Sequence, residues 1–177
     1  MQAPTLDIFL SPWALAVLGL CVGSFLNVVI YRTPLIMERQ WWADVAHQLG
    51  DVASWRRVFA PQTADAQPEA ALTATAHGLS QSVAALSPLS IAKPRSRCSA
   101  CGHQLAWHEN IPVLGWLRLR GRCSACGAKI SARYPLVELV TGILFAAIGW
   151  RVGAYPTALL WCAFGATLVA LALIDWD

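Results

Sequence analysis

The sequence predicts an α-helical polytopic membrane protein with three transmembrane helices and a four-cysteine metal-binding domain inserted after the first. Three observations carry this expectation. The 177 residues are 56% hydrophobic and 13% charged, whereas a soluble domain carries about 25% charged residues. The apolar residues gather into three runs, 8–31, 136–150 and 157–174, each approaching the ~20 residues that cross a hydrocarbon core. Between the first and second runs a short cysteine motif occurs twice.

The elements follow in chain order. Residues 1–7 read as an outward-facing N-terminus and 8–31 as the first transmembrane helix. No basic residue precedes that run, it exceeds a typical signal-peptide core, and it lacks a small-residue cleavage site, so it reads as a span. Within it, Gly19 and Gly23 form a G-x-x-x-G pair, the pattern that lets a second helix approach closely. Residues 32–133 read as one large loop, 135–152 and 156–175 as the second and third spans. The second is short and draws on Trp150 and the stem of Arg151 at one interface.

Charge sets the expected orientation. Of the 13 Lys and Arg residues, none precedes the first run and all but Arg151 fall between Arg32 and Arg133. Arg32 and Arg39 follow the first span and Lys129 and Arg133 precede the second, which places the loop in the cytoplasm and the turn around Arg151 in the periplasm.

The loop divides by composition. Residues 38–59 read as an amphipathic helix with Trp41, Trp42, Val45, Leu49 and Trp55, lying on the membrane surface or on the metal domain, with core packing the favoured role. Residues 60–90 are rich in Ala, Ser, Thr, Gln and Pro, with only Asp65 and Glu69 charged, and read as a poorly structured connector. Residues 93–133 form the expected zinc-binding module. There Arg97-Cys98-Ser99-Ala100-Cys101-Gly102 recurs as Arg122-Cys123-Ser124-Ala125-Cys126-Gly127. In each copy the two-residue spacing lets both sulfurs reach one ion, and the following glycine can take the positive φ of the turn. Four thiolates in a reducing compartment suit Zn²⁺. Four protein ligands close the coordination sphere, so the role is structural and not hydrolytic. Two disulfides conflict with a cytoplasmic loop, and Cys21 and Cys162 read as small buried residues of the spans.

Lys93, Arg95, Arg97, Arg118, Arg120 and Arg122, interleaved with Trp107 and Trp116, would in isolation suit a nucleic-acid zinc ribbon. A cytoplasmic loop held against anionic headgroups requires the same charges, so the expected partner is the lipid bilayer and not nucleic acid.

Polar residues inside the spans form the remaining candidates. Asn27, Glu138 and Asp175 fall at similar depth, near the cytoplasmic interface. Asn27 reads as an interhelical hydrogen-bonding group and Glu138 as a structural partner of Arg32 or Arg133. Asp175 and Asp177 point about 200° apart if the helix continues through both, so at most one belongs to a carboxylate dyad. An aspartic mechanism needs a charged carboxylate to activate water and a protonated one to donate a proton. Its second member must therefore come from another helix.

The run GSFLNVVIYR from Gly23 to Arg32 with Pro34, then Met37-Glu38-Arg39 and the paired cysteine motifs, closely resemble the bacterial type IV prepilin peptidase and N-methyltransferase family. So do Asn110-Ile111-Pro112, the run WLRLRG from Trp116 to Gly121, the run ISARYPLVEL from Ile130 to Leu139, and Leu173-Ile174-Asp175. The resemblance covers nearly the whole chain apart from the connector. It implies a bifunctional enzyme of the bacterial inner membrane that cleaves the basic leader from prepilins and pseudopilins. The same enzyme then methylates the new N-terminal residue from S-adenosylmethionine, serving type IV pili and type II secretion. In that family two aspartates at cytoplasmic helix ends act as the peptidase. The first matches Asp175, with Asp177 as the neighbouring alternative. The second lies in a G-x-G-D motif that these 177 residues lack. The expectation is a fragment of a longer protein or an incomplete gene product. No residue is assigned to S-adenosylmethionine, because no glycine-rich methyltransferase fingerprint occurs. The competing class is a non-catalytic membrane-anchored zinc scaffold or interaction module.

Overall fold

The computed structural model describes residues 4–59 and 67–176, and Asp177 lies outside the described residues. The described residues form seven helices in order: α1 (Pro4–Phe9), α2 (Pro12–Gly50), α3 (Val52–Phe59), α4 (Ala70–Ala84), α5 (Leu114–Arg118), α6 (Arg133–Val152) and α7 (Thr157–Trp176). Among the described residues the extended pairing is limited to two isolated antiparallel bridges, Arg97 with Gln104 and Arg122 with Lys129. Among the described residues three helices, α2, α6 and α7, are long and apolar enough to cross a membrane. The helical fold class with three candidate spans therefore holds.

The chain forms two compact units, one of residues 1–31 with 94–177 and one of residues 32–93. In the first, the helix that opens the expected first span does not begin at residue 8. Helix α1 stops at Phe9, and α2 starts afresh at Pro12. The cause is a local cap: the Ser11 hydroxyl accepts from the Ala14 amide at 3.3 Å and donates to the Ile8 carbonyl at 2.7 Å. Proline at the first helical position lacks only an amide that would have no partner there.

Helix α2 meets α6 through small residues. A Cβ at Gly19 would stand 2.7 Å from the Thr141 carbonyl oxygen, and one at Gly23 would stand 2.7 Å from the Glu138 Cα. From the other side, a Cβ at Gly142 would meet Leu20 at 2.9 Å and one at Gly149 would meet Leu15 at 2.8 Å. The G-x-x-x-G pair thus serves the close approach expected of it, and α6 answers with glycines of its own. Thr141 is fully buried in this seam and donates its hydroxyl proton back to the Val137 carbonyl at 2.8 Å, so burying it leaves no orphan donor. Helix α7 turns a stripe of small residues, Ala158, Cys162, Ala166 and Ala170, into the same core, alongside Leu15, Leu26, Ile30, Val137 and Phe145.

The second unit departs from the sequence expectation in two ways. The 60–90 segment, read as a poorly structured connector, contains the fifteen-residue helix α4. Alanine is the strongest helix former, and Thr73, Thr75 and Ser82 return their hydroxyls to carbonyls three or four residues back, so the polar groups do not oppose the helix. Ala76 of α4 is buried, with its Cβ 3.8 Å from where a Cβ on Gly50 would stand. Beyond α4 the chain is tied back to α2, because Arg32 donates to the Ser90 carbonyl at 2.9 Å and Arg39 to the Ser87 carbonyl at 2.8 Å. The second departure is that 38–59 is not one helix packed into a core. Helix α2 runs to Gly50, Asp51 caps a separate α3 through the Ala53 and Ser54 amides, and α3 buries none of its side chains.

Candidate functional site

Each cysteine motif folds as the same small turn. In the first copy the Cys98 amide donates to the His103 carbonyl at 2.8 Å and the Gly102 amide to the Cys98 carbonyl at 3.0 Å. In the second, the Cys123 amide reaches the Ala128 carbonyl at 2.9 Å and the Gly127 amide the Cys123 carbonyl at 2.9 Å. The turn requires a left-handed residue at its end, and Gly102 (φ 73°) and Gly127 (φ 72°) supply it. The amides inside each turn point at the first sulfur. Those of Cys101 and Ala100 hold the Cys98 thiol at about 7, and those of Cys126 and Ala125 lower Cys123 in the same way.

The two turns face each other so that all four sulfurs lie within 4.8 Å of one another. Cys98 Sγ is 3.8 Å from Cys126 Sγ, and Cys101 Sγ is 4.0 Å from Cys123 Sγ. Tetrahedral coordination at a Zn–S bond of about 2.3 Å places sulfurs about 3.8 Å apart, so the cluster is already near the size of a four-thiolate ion site. The donor chemistry agrees. For Cys101 the His103 amide favours the thiolate, yet the neighbouring sulfurs of Cys126, Cys98 and Cys123 together with burial push it up to about 12. Four thiolates this close repel one another, and a divalent cation is what allows all of them to ionise. The residues present therefore fit a closed metal centre.

The segment between the turns is built around it. Glu109, its side chain 8% exposed, accepts from the Ala106 amide at 2.8 Å and stands 3.5 Å from His103 Nε2, which in turn lies 3.4 Å from the Ser124 hydroxyl. The Ser124 hydroxyl and the Ala106 amide hold the Glu109 carboxyl below the usual carboxylate range. After it, Gly115 leaves no room for a Cβ against the Glu109 carbonyl. Trp116 donates its indole proton to the Ile130 carbonyl at 3.1 Å, and its ring lies 2.8 Å from where a Cβ on Gly121 (φ 66°) would stand.

Glu138 corrects a sequence expectation. Its carboxylate accepts from the Val113 amide at 2.7 Å, a backbone partner rather than the arginine expected. Val113 has φ 60° and ψ −50°, and the Leu114 amide turns back to the Pro112 carbonyl at 2.5 Å, a γ-turn of the rare, strained hand. A buried carboxylate from a candidate span thus pins a strained turn of the cysteine module. No local pattern signals this bond, because its acceptor and donor lie 25 residues apart and the donor is backbone. Asn27 is also buried, and its amide donates to the Tyr134 carbonyl at 3.0 Å, joining α2 to the first turn of α6.

Asp175 is exposed near the end of α7. Two residues before it, the Leu173 carbonyl accepts from Arg133 at 3.4 Å, which ties the C-terminal end of α7 to the N-terminal end of α6. The structure thereby brings Asp175 to the end of the bundle that also carries the Asn27–Tyr134 bond.

Three helices long and apolar enough to span a bilayer, with a four-sulfur cluster between them that could hold a metal ion, fit a multi-pass membrane protein with an inserted cysteine module. Residues 17–152 match the bacterial peptidase A24 N-terminal domain, and the chain belongs to that family. It is 41% identical over 161 residues to a prepilin leader peptidase/N-methyltransferase of Pseudomonas putida, covering 91% of this chain and 46% of the relative. The corresponding proteins of Myxococcus xanthus and Neisseria gonorrhoeae are 41% and 38% identical, covering 92% and 95% of this chain but 33% and 50% of theirs. The chain therefore spans half or less of the length of these relatives. No solved structure matches it.

Proposed function

We propose that this chain is the N-terminal portion of a prepilin leader peptidase and N-methyltransferase of the bacterial inner membrane, with Asp175 as one carboxylate of an aspartic peptidase. The observation that carries the reading is the family match across 17–152, joined to the position of Asp175 at the end of the bundle where α6 begins. The basic residues flanking the candidate spans favour a cytoplasmic position for that end and for the cysteine module. A prepilin or pseudopilin with a basic leader is the substrate that the relatives' names support.

Chemically, one aspartate of the pair is ionised and takes a proton from water, while the other is protonated and gives its proton to the scissile amide. Asp175 can fill either place once a second carboxylate faces it. Glu138 accepts from the Val113 amide and serves the fold. Zn²⁺ held by Cys98, Cys101, Cys123 and Cys126 would be structural, since four protein sulfurs leave no position for water. S-adenosylmethionine would supply the methyl group in the second reaction. No residue of this chain is assigned to it.

The test is made in a protein of the relatives' full length. Asp175→Asn should lower leader cleavage by about 10²–10⁴-fold, while Asp177→Asn is milder and methylation of a pre-cleaved pilin peptide persists in both. Cleavage retained by Asp175→Asn and lost by Asp177→Asn would move the assignment to the neighbour. Cleavage unaffected in both would favour the competing reading, a zinc scaffold without catalysis, for which the closed sulfur site is the supporting feature.

A further inference from the structure

Within the unit of residues 32–93, α3 (Val52–Phe59) is amphipathic yet none of its residues is fully buried, Trp55 being half-buried. At ~100° per residue, Val52, Trp55, Val58 and Phe59 share one arc of the helix, Ala53 and Arg57 lie opposite, and Arg56 stands at the arc's edge. Val58 is 62% and Val52 37% exposed, and the Trp55 ring rests on Phe59 with centroids 4.8 Å apart. Just upstream in the same unit, Trp41 and Trp42 pack edge to face at 4.7 Å and remain 57% and 46% exposed.

We propose that α3 docks on an anionic lipid surface, with Val52, Trp55 and Val58 entering the acyl boundary and Arg56 and Arg57 meeting the phosphate headgroups. Three observations select lipid as the occupant. The helix is covalently tethered to a chain with three candidate membrane spans, so a bilayer is always at high local concentration. Its charge is wholly basic: the helix contains no acidic residue, and the flanking Asp51 carboxylate is turned onto the Ala53 and Ser54 amides and the Ser54 hydroxyl. Tryptophan beside arginine on a small amphipathic helix is the composition that settles at a headgroup boundary, where the ring and the arginine stem are apolar and their tips stay wet. A protein groove would instead have to bury or pair two adjacent guanidinium groups. The proposal stands independently of the peptidase reading.

The experiment uses the whole chain in lipid nanodiscs, carrying the photo-crosslinking residue p-benzoylphenylalanine in place of Val58 or, on the opposite face, of Ala53. The discs contain phosphatidylcholine alone or with phosphatidylglycerol. Position 58 should give severalfold more lipid adduct than position 53, and its yield should rise with phosphatidylglycerol. The rise should disappear when Arg56→Gln and Arg57→Gln are introduced together. Equal lipid labelling at the two positions, a yield at 58 indifferent to phosphatidylglycerol or to the arginines, or crosslinks from 58 mainly to protein would each overturn the proposal.

Discussion

In the bundle, α2 and α6 approach until a single methyl group at Gly23 would stand 2.7 Å from the opposing backbone, and the core behind them is ordinary apolar packing. In the cysteine module, little is buried, Gly115, Gly121 and Cys123 among the described residues, and two short turns bring four sulfurs within 4.8 Å of one another. The first region is held by contact area, and the second offers four sulfurs that could be held by a metal ion. Regions of one compact unit should therefore fail separately, and the bond from Glu138 to Val113 is one point that joins them.

The largest separation of the two should come from removing a sulfur. Cys123→Ser takes away one of four ligands from a site of the kind worth about 10–16 kcal/mol in small zinc domains, so the purified chain should lose its zinc and the module its order. Far-ultraviolet circular dichroism should still report the helices of the bundle. A mutant that keeps one equivalent of zinc would remove the metal from this account.

A smaller effect should follow from filling the seam. Gly23→Ala sets a methyl group against the Glu138 Cα, and overpacking of this kind costs about 1–3 kcal/mol. A chain of this size should lose roughly 2–4 °C of melting temperature per kcal/mol, with zinc content unchanged. An unchanged melting temperature would show that the close approach is not maintained.

What could be read from the sequence follows the same division. Ligand spacing is local, so Cys98, Cys101, Cys123 and Cys126 were legible as a set, and Gly19 with Gly23 announced a close helix contact before its partner was known. The partner of Glu138 was not legible: an arginine is the obvious guess for a carboxylate in a span, but a backbone amide on a strained turn gives no sequence signal. Helix α4 was missed because Ala, Ser, Thr and Gln were weighed as a disordered composition when alanine propensity and a buried contact at Ala76 favoured helix. The break before α2 was visible in principle, since Ser11-Pro12 is an N-cap followed by the proline that suits the first helical position.

The smallest effect belongs to α3, none of whose residues is fully buried. The Ser54 hydroxyl and the Ala53 amide keep the Asp51 carboxyl below its ordinary 3.8. A depressed carboxylate stabilises the folded state above the unfolded value, and that contribution is lost as pH falls through the lower, folded value. The cap should therefore be at full strength at neutral pH and weaken only below about 3.8. Amide exchange at Ala53 and Ser54 should speed up in that acid range, and exchange that is already maximal at neutral pH would mean the cap does not form.

The separate origins of order in the two regions are tested most directly by hydrogen–deuterium exchange on the intact chain before and after a thiol-compatible chelator strips its metal. Amides of residues 97–130 should lose protection, while those around Thr141 and Phe145 in the α2–α6 seam should keep theirs. Equal loss in both regions, or protection of 97–130 that survives complete removal of the metal, would contradict the account.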